Sequence, residues 1–335
     1  VLEADVEVDR REFTVRADLS VAAGERIALF GPSGAGKTTV LEAIAGLVPP
    51  RRARITVAGR VLTSTAPPAI VVPPWRRRVG LLRQDPGLFP HLSVRDNLRY
   101  SGGVGQSELE ALAGVLGIDG LLTSMPARLS GGQAHRVALG RLLLSRCDVM
   151  LLDEPYTGLD AGLRRTLSEQ VIALVAGRGA PAILVAHELT EAQAFAHRLA
   201  ILDRGELLQL GPPDEVVRRP ASRRVAELVG YTAFVPAGNR TDGDRTDGDR
   251  PAGDRPDGAV YGVHPDRVIS GRHPDRGLVL SGVVASCRPA GALWEIGLRV
   301  PGGVVTGRVF EPVPAEAEMS VTVLDPPSFG PDGAG

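Results

Sequence analysis

Lys37 is the one lysine in a chain whose 38 Lys and Arg are otherwise all arginine. It stands in the run Gly31-Pro32-Ser33-Gly34-Ala35-Gly36-Lys37-Thr38, which fits the phosphate-loop pattern. Glycines there let backbone N–H groups close on phosphate oxygens, and the start of the next helix adds a favourable dipole. A lysine ammonium is a compact charge on a flexible stem and can reach between the β- and γ-phosphates. A guanidinium is a wide planar fork that would not fit the same nest. Thr38 offers a hydroxyl to Mg²⁺, and Thr39 carries the loop into the helix. The flanks agree with this reading. Arg26–Phe30 reads as a buried strand, and the run that starts at Thr39 reads as a helix.

The bulk of the chain narrows the options. Its 335 residues suit two domains, or one large and one small, and 43% hydrophobic content is enough for a packed core. A formal net charge of -1 gives no electrostatic footprint for a nucleic-acid partner. The two cysteines, Cys147 and Cys287, fall in different expected domains and read as core thiols in a reducing compartment. The six histidines show no metal-ligand spacing. The acidic N-terminal stretch has no long apolar run and does not read as a signal peptide. No stretch approaches the roughly 20 apolar residues of a membrane helix, so work at a membrane would be that of a peripheral subunit.

Residues 1–235 alternate strand-like and helix-like segments, the pattern of a layered α/β domain. Val149–Leu152, Ala182–Ala186 and Leu199–Asp203 read as strands. Leu109–Leu122, Gln133–Leu144 and Gly162–Ala176 read as helices. Residues 236–258 hold an imperfect five-residue repeat of Arg, Asp, Gly, Thr and Pro. It cannot bury enough apolar surface to offset its ordering entropy, so a disordered linker is expected. Residues 259–330 turn to β patterning at Leu278–Ala285, Ala292–Val300, Val304–Phe310 and Ser320–Leu324. A small barrel of five or six strands is expected there.

Further motifs stand at ordered positions. Gln84 follows the strand-like Val79–Leu82. Leu129-Ser130-Gly131-Gly132-Gln133 opens a helix, Asp153-Glu154-Pro155 closes an apolar strand, Gly158-Leu159-Asp160 follows, and His187 comes just after another strand. In this order, residues 1–230 resemble an ATP-binding cassette (ABC) nucleotide-binding domain: phosphate loop, Q-loop, signature, extended Walker B, D-loop and switch histidine. The resemblance implies an α/β P-loop NTPase fold, with a RecA-like core plus a helical subdomain that carries the signature. ATP and Mg²⁺ are the implied cofactors. Asp153 would hold Mg²⁺, joined by Thr38 and Gln84, and Glu154 would polarise the attacking water as general base. His187 would contact the γ-phosphate and hold that water in line. Gln84 would pass the nucleotide state to a partner. Ser130, Gly131, Gly132 and Gln133, with Asp160, would face the ATP on the other subunit, so hydrolysis would need a homodimer. The family's adenine-stacking position falls by register near Val8, and Phe13 reads as a core strand residue.

The single cassette, with no heptad insertion between Gln84 and Ser130 and no membrane helices, is similar to a separate importer subunit. The appended β segment resembles an OB-like regulatory barrel of the TOBE type. The runs around Trp75 and Leu88–Tyr100, and Gly140, resemble the molybdate importer ATPase. In that family, Leu88–Tyr100 is where an integral-membrane permease docks. The Ser-Ala-Arg-Asn run of molybdate-binding barrels has no counterpart before Gly282, so no oxyanion site is assigned to the barrel, and Trp294 reads as core. The implied function is ATP hydrolysis at the cytoplasmic face of the membrane, with permease partners and an extracytoplasmic solute-binding protein. Molybdate or a related oxyanion is the expected cargo. Sulfate, iron, polyamine or sugar is the alternative, followed by a soluble ATPase outside transport.

Overall fold

The computed structural model of the chain describes residues 1–157, 161–236, 260–273 and 275–330. The expected linker lies outside the described residues apart from Pro236. Two compact units divide between Pro213 and Asp214.

The first unit opens with strict alternation. In β1 (Leu2–Asp9), Leu2, Ala4, Val6 and Val8 are buried, with acidic residues between them. β2 (Thr14–Val21) pairs with it antiparallel, Val8 opposite Val15. The chain then enters a second sheet through β3 (Arg26–Phe30), whose Ile27, Ala28 and Leu29 are buried. Next comes α1 (Lys37–Ala45). β4 (Arg52–Val57), β5 (Arg60–Ser64) and β6 (Ile70–Val71) return to the first sheet, whose order is β2-β1-β4-β5-β6. β7 (Val79–Leu82) leads into a helical stretch of α2 (Val94–Arg99), α3 (Gln106–Val115) and α4 (Gly131–Leu144). β8 (Val149–Asp153), α5 (Ala161–Arg178), β9 (Ala182–Val185), α6 (Leu189–Phe195), β10 (Arg198–Asp203) and β11 (Glu206–Gly211) follow.

The second sheet has the order β11-β10-β3-β9-β8-β7, with all but β11 parallel. Parallel strands end on one side, and that side gathers the expected chemistry. Gly31 follows β3, Gln84 follows β7, Asp153 ends β8, and His187 lies just past β9. One core joins Val40, Leu41 and Ile44 of α1 to side chains of both sheets, so the helix behind the phosphate loop is held from two faces.

The expected strands and helices of this unit are present, with one shift. The helix expected over Leu109–Leu122 ends at Val115. Gly117 stands just beyond at φ 60°, and a short 3₁₀ turn covers Asp119–Leu121.

Arg77 braces the far end of α1. Among the described residues its buried guanidinium has no acidic partner. Nε donates to Val72 O at 2.7 Å, Nη1 to Ile44 O at 2.9 Å and Ala43 O at 3.4 Å, and Nη2 to the Thr63 hydroxyl at 2.9 Å. The carbonyl-rich helix C-terminus favours this cation. Gly46, at φ 81°, leaves room for it, since a Cβ there would lie 2.4 Å from Arg77 Cζ. Arg77→Lys is expected to lower stability by about 1–3 kcal/mol, because one ammonium cannot reach acceptors on three segments. Thermal unfolding checks this, and an unchanged midpoint would refute the brace.

The second unit begins beside α7 (Pro213–Arg218), which spans the division, and continues into α8 (Arg223–Leu228), capped by the Ser222 hydroxyl. The Tyr231 hydroxyl donates to Val217 O at 2.9 Å. β12 (Ala233–Pro236), β13 (Val260–Val263), β14 (Val268–Ser270), β15 (Gly277–Ala290), β16 (Leu293–Val300), β17 (Gly303–Val309), β18 (Glu318–Leu324) and β19 (Ser328–Phe329) follow. They form a three-stranded sheet, β12-β13-β19, and a five-stranded sheet, β14-β18-β15-β16-β17. Among the described residues the larger sheet has no ladder joining β14 to β17. Its first and last strands approach where Gly307 stands against Val268, a Cβ there lying 2.7 Å from a Val268 methyl. Trp294 packs on this core, and both cysteines are free thiols.

Candidate functional site

The phosphate loop bends because of its glycines. A Cβ at Gly31 (φ 154°) would sit 1.9 Å from Leu202 O, and one at Gly36 (φ 105°) 2.7 Å from Val15. Only a residue without a side chain fits either place. Ser33, Gly34, Ala35, Gly36, Lys37, Thr38 and Thr39 line one cavity of about 430 Å³ together with Gln84, Glu154 and His187. Gly31 and Pro32 stand behind it and hold the lysine: Nζ donates to their carbonyls at 2.8 and 2.9 Å. Burial lowers the pKa of Lys37, and the nearby Glu154 and Asp153 oppose that shift.

Asp153 enters through Thr38, whose hydroxyl donates to Asp153 Oδ1 at 3.2 Å. Burial raises the carboxyl's pKa. The Thr38 hydrogen bond lowers it, Glu154 and Glu42 push it up, and Lys37 pulls it down. A buried carboxylate disfavoured in this way, beside a hydroxyl, offers hard oxygen donors that suit Mg²⁺.

Glu154 takes the left-handed conformation, φ 52°, at the turn after β8. Such a non-glycine residue costs about 1 kcal/mol or more and needs support. Its N–H donates to Val185 O at 3.2 Å, its carbonyl accepts from Thr157 N at 3.3 Å, and the Thr157 hydroxyl donates to Oε2 at 3.3 Å. The turn aims the carboxylate into the cavity, with Oε1 2.5 Å from His187 Nε2.

The signature lies elsewhere. Ser130 caps α4, accepting from Gln133 N at 3.3 Å, while the Gln133 side chain accepts from Ser130 N at 2.9 Å. Ser130, Gly131, Gly132 and Gln133 do not line the cavity of their own chain. Asp160 lies outside the described residues.

Two expectations change at the cavity mouth. Phe13 is not a strand residue: it sits in the turn before β2 and lines the cavity with Arg10, Arg11 and Glu12. Val8 is fully buried in β1 and presents no stacking surface. The polar run Arg10-Arg11-Glu12 was the available sign that a turn, not a strand, precedes Phe13. Arg10 was not foreseen. Its Nε donates to the Thr39 hydroxyl at 2.9 Å and fastens this turn to α1.

A separate groove of about 450 Å³ lies where the strand to Gln84 meets the helical stretch, lined in part by Leu47, Pro86, Phe89, Tyr100 and Arg141. Buried Asn97 shapes it, its amide bonding Phe89 N and O, Leu92 O and Ser93 O. Phe89 and Tyr100 stack at 4.1 Å between centroids, and Arg141 lies 5.1 Å from the Phe89 centroid.

A phosphate loop, a buried carboxylate and a carboxylate–histidine pair at the ends of parallel strands define a P-loop nucleotide-binding fold. Comparison with known proteins narrows the class. Residues 15–157 match the family described as ABC transporter. The chain is similar to the Fe(3+) ions import ATP-binding protein FbpC of Mesorhizobium japonicum, 41% identical over 66% of this chain and 62% of the relative. It is also similar to the sulfate/thiosulfate import ATP-binding protein CysA 2 of Chromobacterium violaceum, 39% identical over 67% of this chain and 61% of the relative. It thus spans under two thirds of the length of these relatives. Among solved structures, one described as an ATP binding subunit of an ABC transporter is 28% identical with a TM-score of 0.56, over 69% of this chain and 95% of that one.

Proposed function

We propose that the chain is the ATP-hydrolysing subunit of an ABC importer, binding ATP with Mg²⁺. The observation that carries this reading is the convergence of Lys37, Thr38, Gln84, Glu154 and His187 on one cavity, with Asp153 bonded to Thr38. Loop N–H groups and Lys37 bind the phosphates, and Thr38, Asp153 and Gln84 are the oxygen donors for Mg²⁺, which when bound neutralises phosphate charge. Glu154 takes the proton of the attacking water, and His187 holds the water and Glu154 in line. Phe13, at the cavity mouth, offers adenine its ring. The placement of Ser130–Gln133 away from this cavity supports a homodimer in which each signature, with Asp160, completes the partner's site.

The groove beneath Phe89 and Tyr100 supports docking of integral-membrane permease subunits, with the chain at the cytoplasmic face and an extracytoplasmic solute-binding protein delivering cargo. Among the described residues no helix is long and apolar enough to cross a membrane. Residues 1–235 serve as the nucleotide-binding domain and residues 259–330 as a TOBE-like regulatory domain. For cargo, the iron and sulfate names of the relatives favour the alternative expectation over molybdate. The test is ATPase rate in a complex with permease and binding protein, with ferric iron, sulfate, molybdate or no solute. Stimulation by iron or sulfate alone is expected. Stimulation by molybdate alone would restore the oxyanion reading, and failure to associate with any permease would overturn the importer assignment.

A further inference from the structure

Glu154 and His187 border a second cavity. It measures about 170 Å³, and its other walls include Tyr156, Arg164, Glu188 and Glu191. Among the described residues, Glu154 and His187 line both cavities, and their contact forms the partition between them. On the far side of that partition, two buried oxygens have no hydrogen-bond partner among the described residues: the Tyr156 hydroxyl and Glu191 Oε1. Tyr156 is only 3% exposed. Leaving such atoms unpaired costs about 1–3 kcal/mol each, and a polar cavity of this size can hold water that pairs them.

We infer that this chamber holds ordered water and that Glu191 receives, through it, the proton that Glu154 takes from the attacking water. The inference rests on the general-base role of Glu154 proposed above. The proton balance is simple. The attacking water's O–H bond breaks as its oxygen bonds phosphorus, the leaving phosphate oxygen keeps the bonding pair, and the proton resides on Glu154. With nucleotide filling the first cavity, the way out is across the partition. Glu154 gives the proton to a chamber water, and Glu191 becomes a neutral acid. Arg164 and Glu188 form an ion pair in the chamber wall, with side chains 34% and 55% exposed, and there the proton passes to solvent.

The surroundings suit an acceptor that must also release. Burial holds the Glu191 carboxyl up at about 7. Glu188 and Glu154 push in the same direction, and Arg164 and a backbone hydrogen bond at Glu188 oppose them. Among the described residues, Tyr156 and His187 complete the titratable groups facing the chamber, and burial pushes the Tyr156 hydroxyl above its ordinary value. Glu191 accepts only when ionised, so wild-type turnover should fall as pH drops through about 7.

The test compares the full chain with Glu191→Gln and Glu191→Asp, reading kcat against pH, ATP affinity and thermal unfolding. Glu191→Gln is expected to lower kcat on the order of tenfold at pH 8 and to abolish the acid limb near neutrality, with ATP affinity unchanged. Glu191→Asp should recover both in part. Wild-type kcat with the acid limb intact in Glu191→Gln would overturn the relay. So would a fall in kcat that tracks lost ATP affinity or lower thermal stability and leaves the limb in place. Normal turnover in Glu154→Gln would strike the base role itself, which separates the two failures.

Discussion

Glu154→Gln is expected to reduce ATP turnover by about 10²–10⁴-fold, the span of a lost general base, while ATP binding persists or tightens. The amide is close to isosteric with the carboxylate and can still face His187, which lies 2.5 Å from Glu154 Oε1. It also keeps the left-handed turn, whose supports are mostly backbone: Glu154 N to Val185 O, and Thr157 N to Glu154 O. What it cannot do is accept a proton. Removing the charge should at the same time favour the bound state. Glu154 raises the pKa of buried Asp153 by repulsion and faces a cavity that must receive polyanionic phosphate. The variant should therefore accumulate with ATP bound, as the closed homodimer proposed above. Light scattering with and without ATP would read the pairing, and phosphate release would read turnover. Ordinary turnover in Glu154→Gln would refute the base assignment.

Much of the placement of these residues is legible in the sequence, for a physical reason. A phosphate loop needs glycine where backbone approaches backbone, and Gly31 meets Leu202 O so closely that no side chain fits. A buried apolar strand that ends in a carboxylate places that carboxylate where neighbouring parallel strands also end, and Asp153, Gln84 and His187 all follow from this rule. Contacts far apart in sequence were hidden. Nothing local says that Arg77 will reach back to α1, or that Tyr156 and Glu191 will share a chamber. Phe13 was misread because apolar alternation resumes right after it, and the turn that lifts it to the cavity mouth has no glycine to mark it. The helix after Leu109 was overextended because its apolar residues continue in helical spacing past Gly117, where the backbone turns left-handed. The β segment was legible as strands but not in its closure. Alternation fixes which face is buried, and it does not say whether the last strand ladders onto the first.

Lys37→Arg is expected to weaken ATP binding by about 3 kcal/mol, roughly a hundredfold in Kd, although the charge is conserved. The lysine is 5% exposed and lies along the loop, its ammonium held by Gly31 O and Pro32 O. Those carbonyls leave room for a small head group. A guanidinium is broader, and the loop cannot widen, because Gly31 is already against Leu202 O and Gly36 against Val15. The longer side chain must therefore either push the loop outward, which displaces the N–H groups that receive phosphate, or project into the phosphates' own volume. Either outcome trades a point charge among phosphate oxygens for a misplaced plane. Burial already lowers the pKa of Lys37, so even the native cation is held against desolvation by Glu154 and Asp153. A bulkier cation in the same place loses contacts without gaining a partner. Titration of ATP onto the variant decides the matter, with thermal unfolding as the control for a general loss of structure. Wild-type affinity in a stable Lys37→Arg protein would show that charge alone suffices, and that the single lysine of this chain is not required by the geometry of the nest.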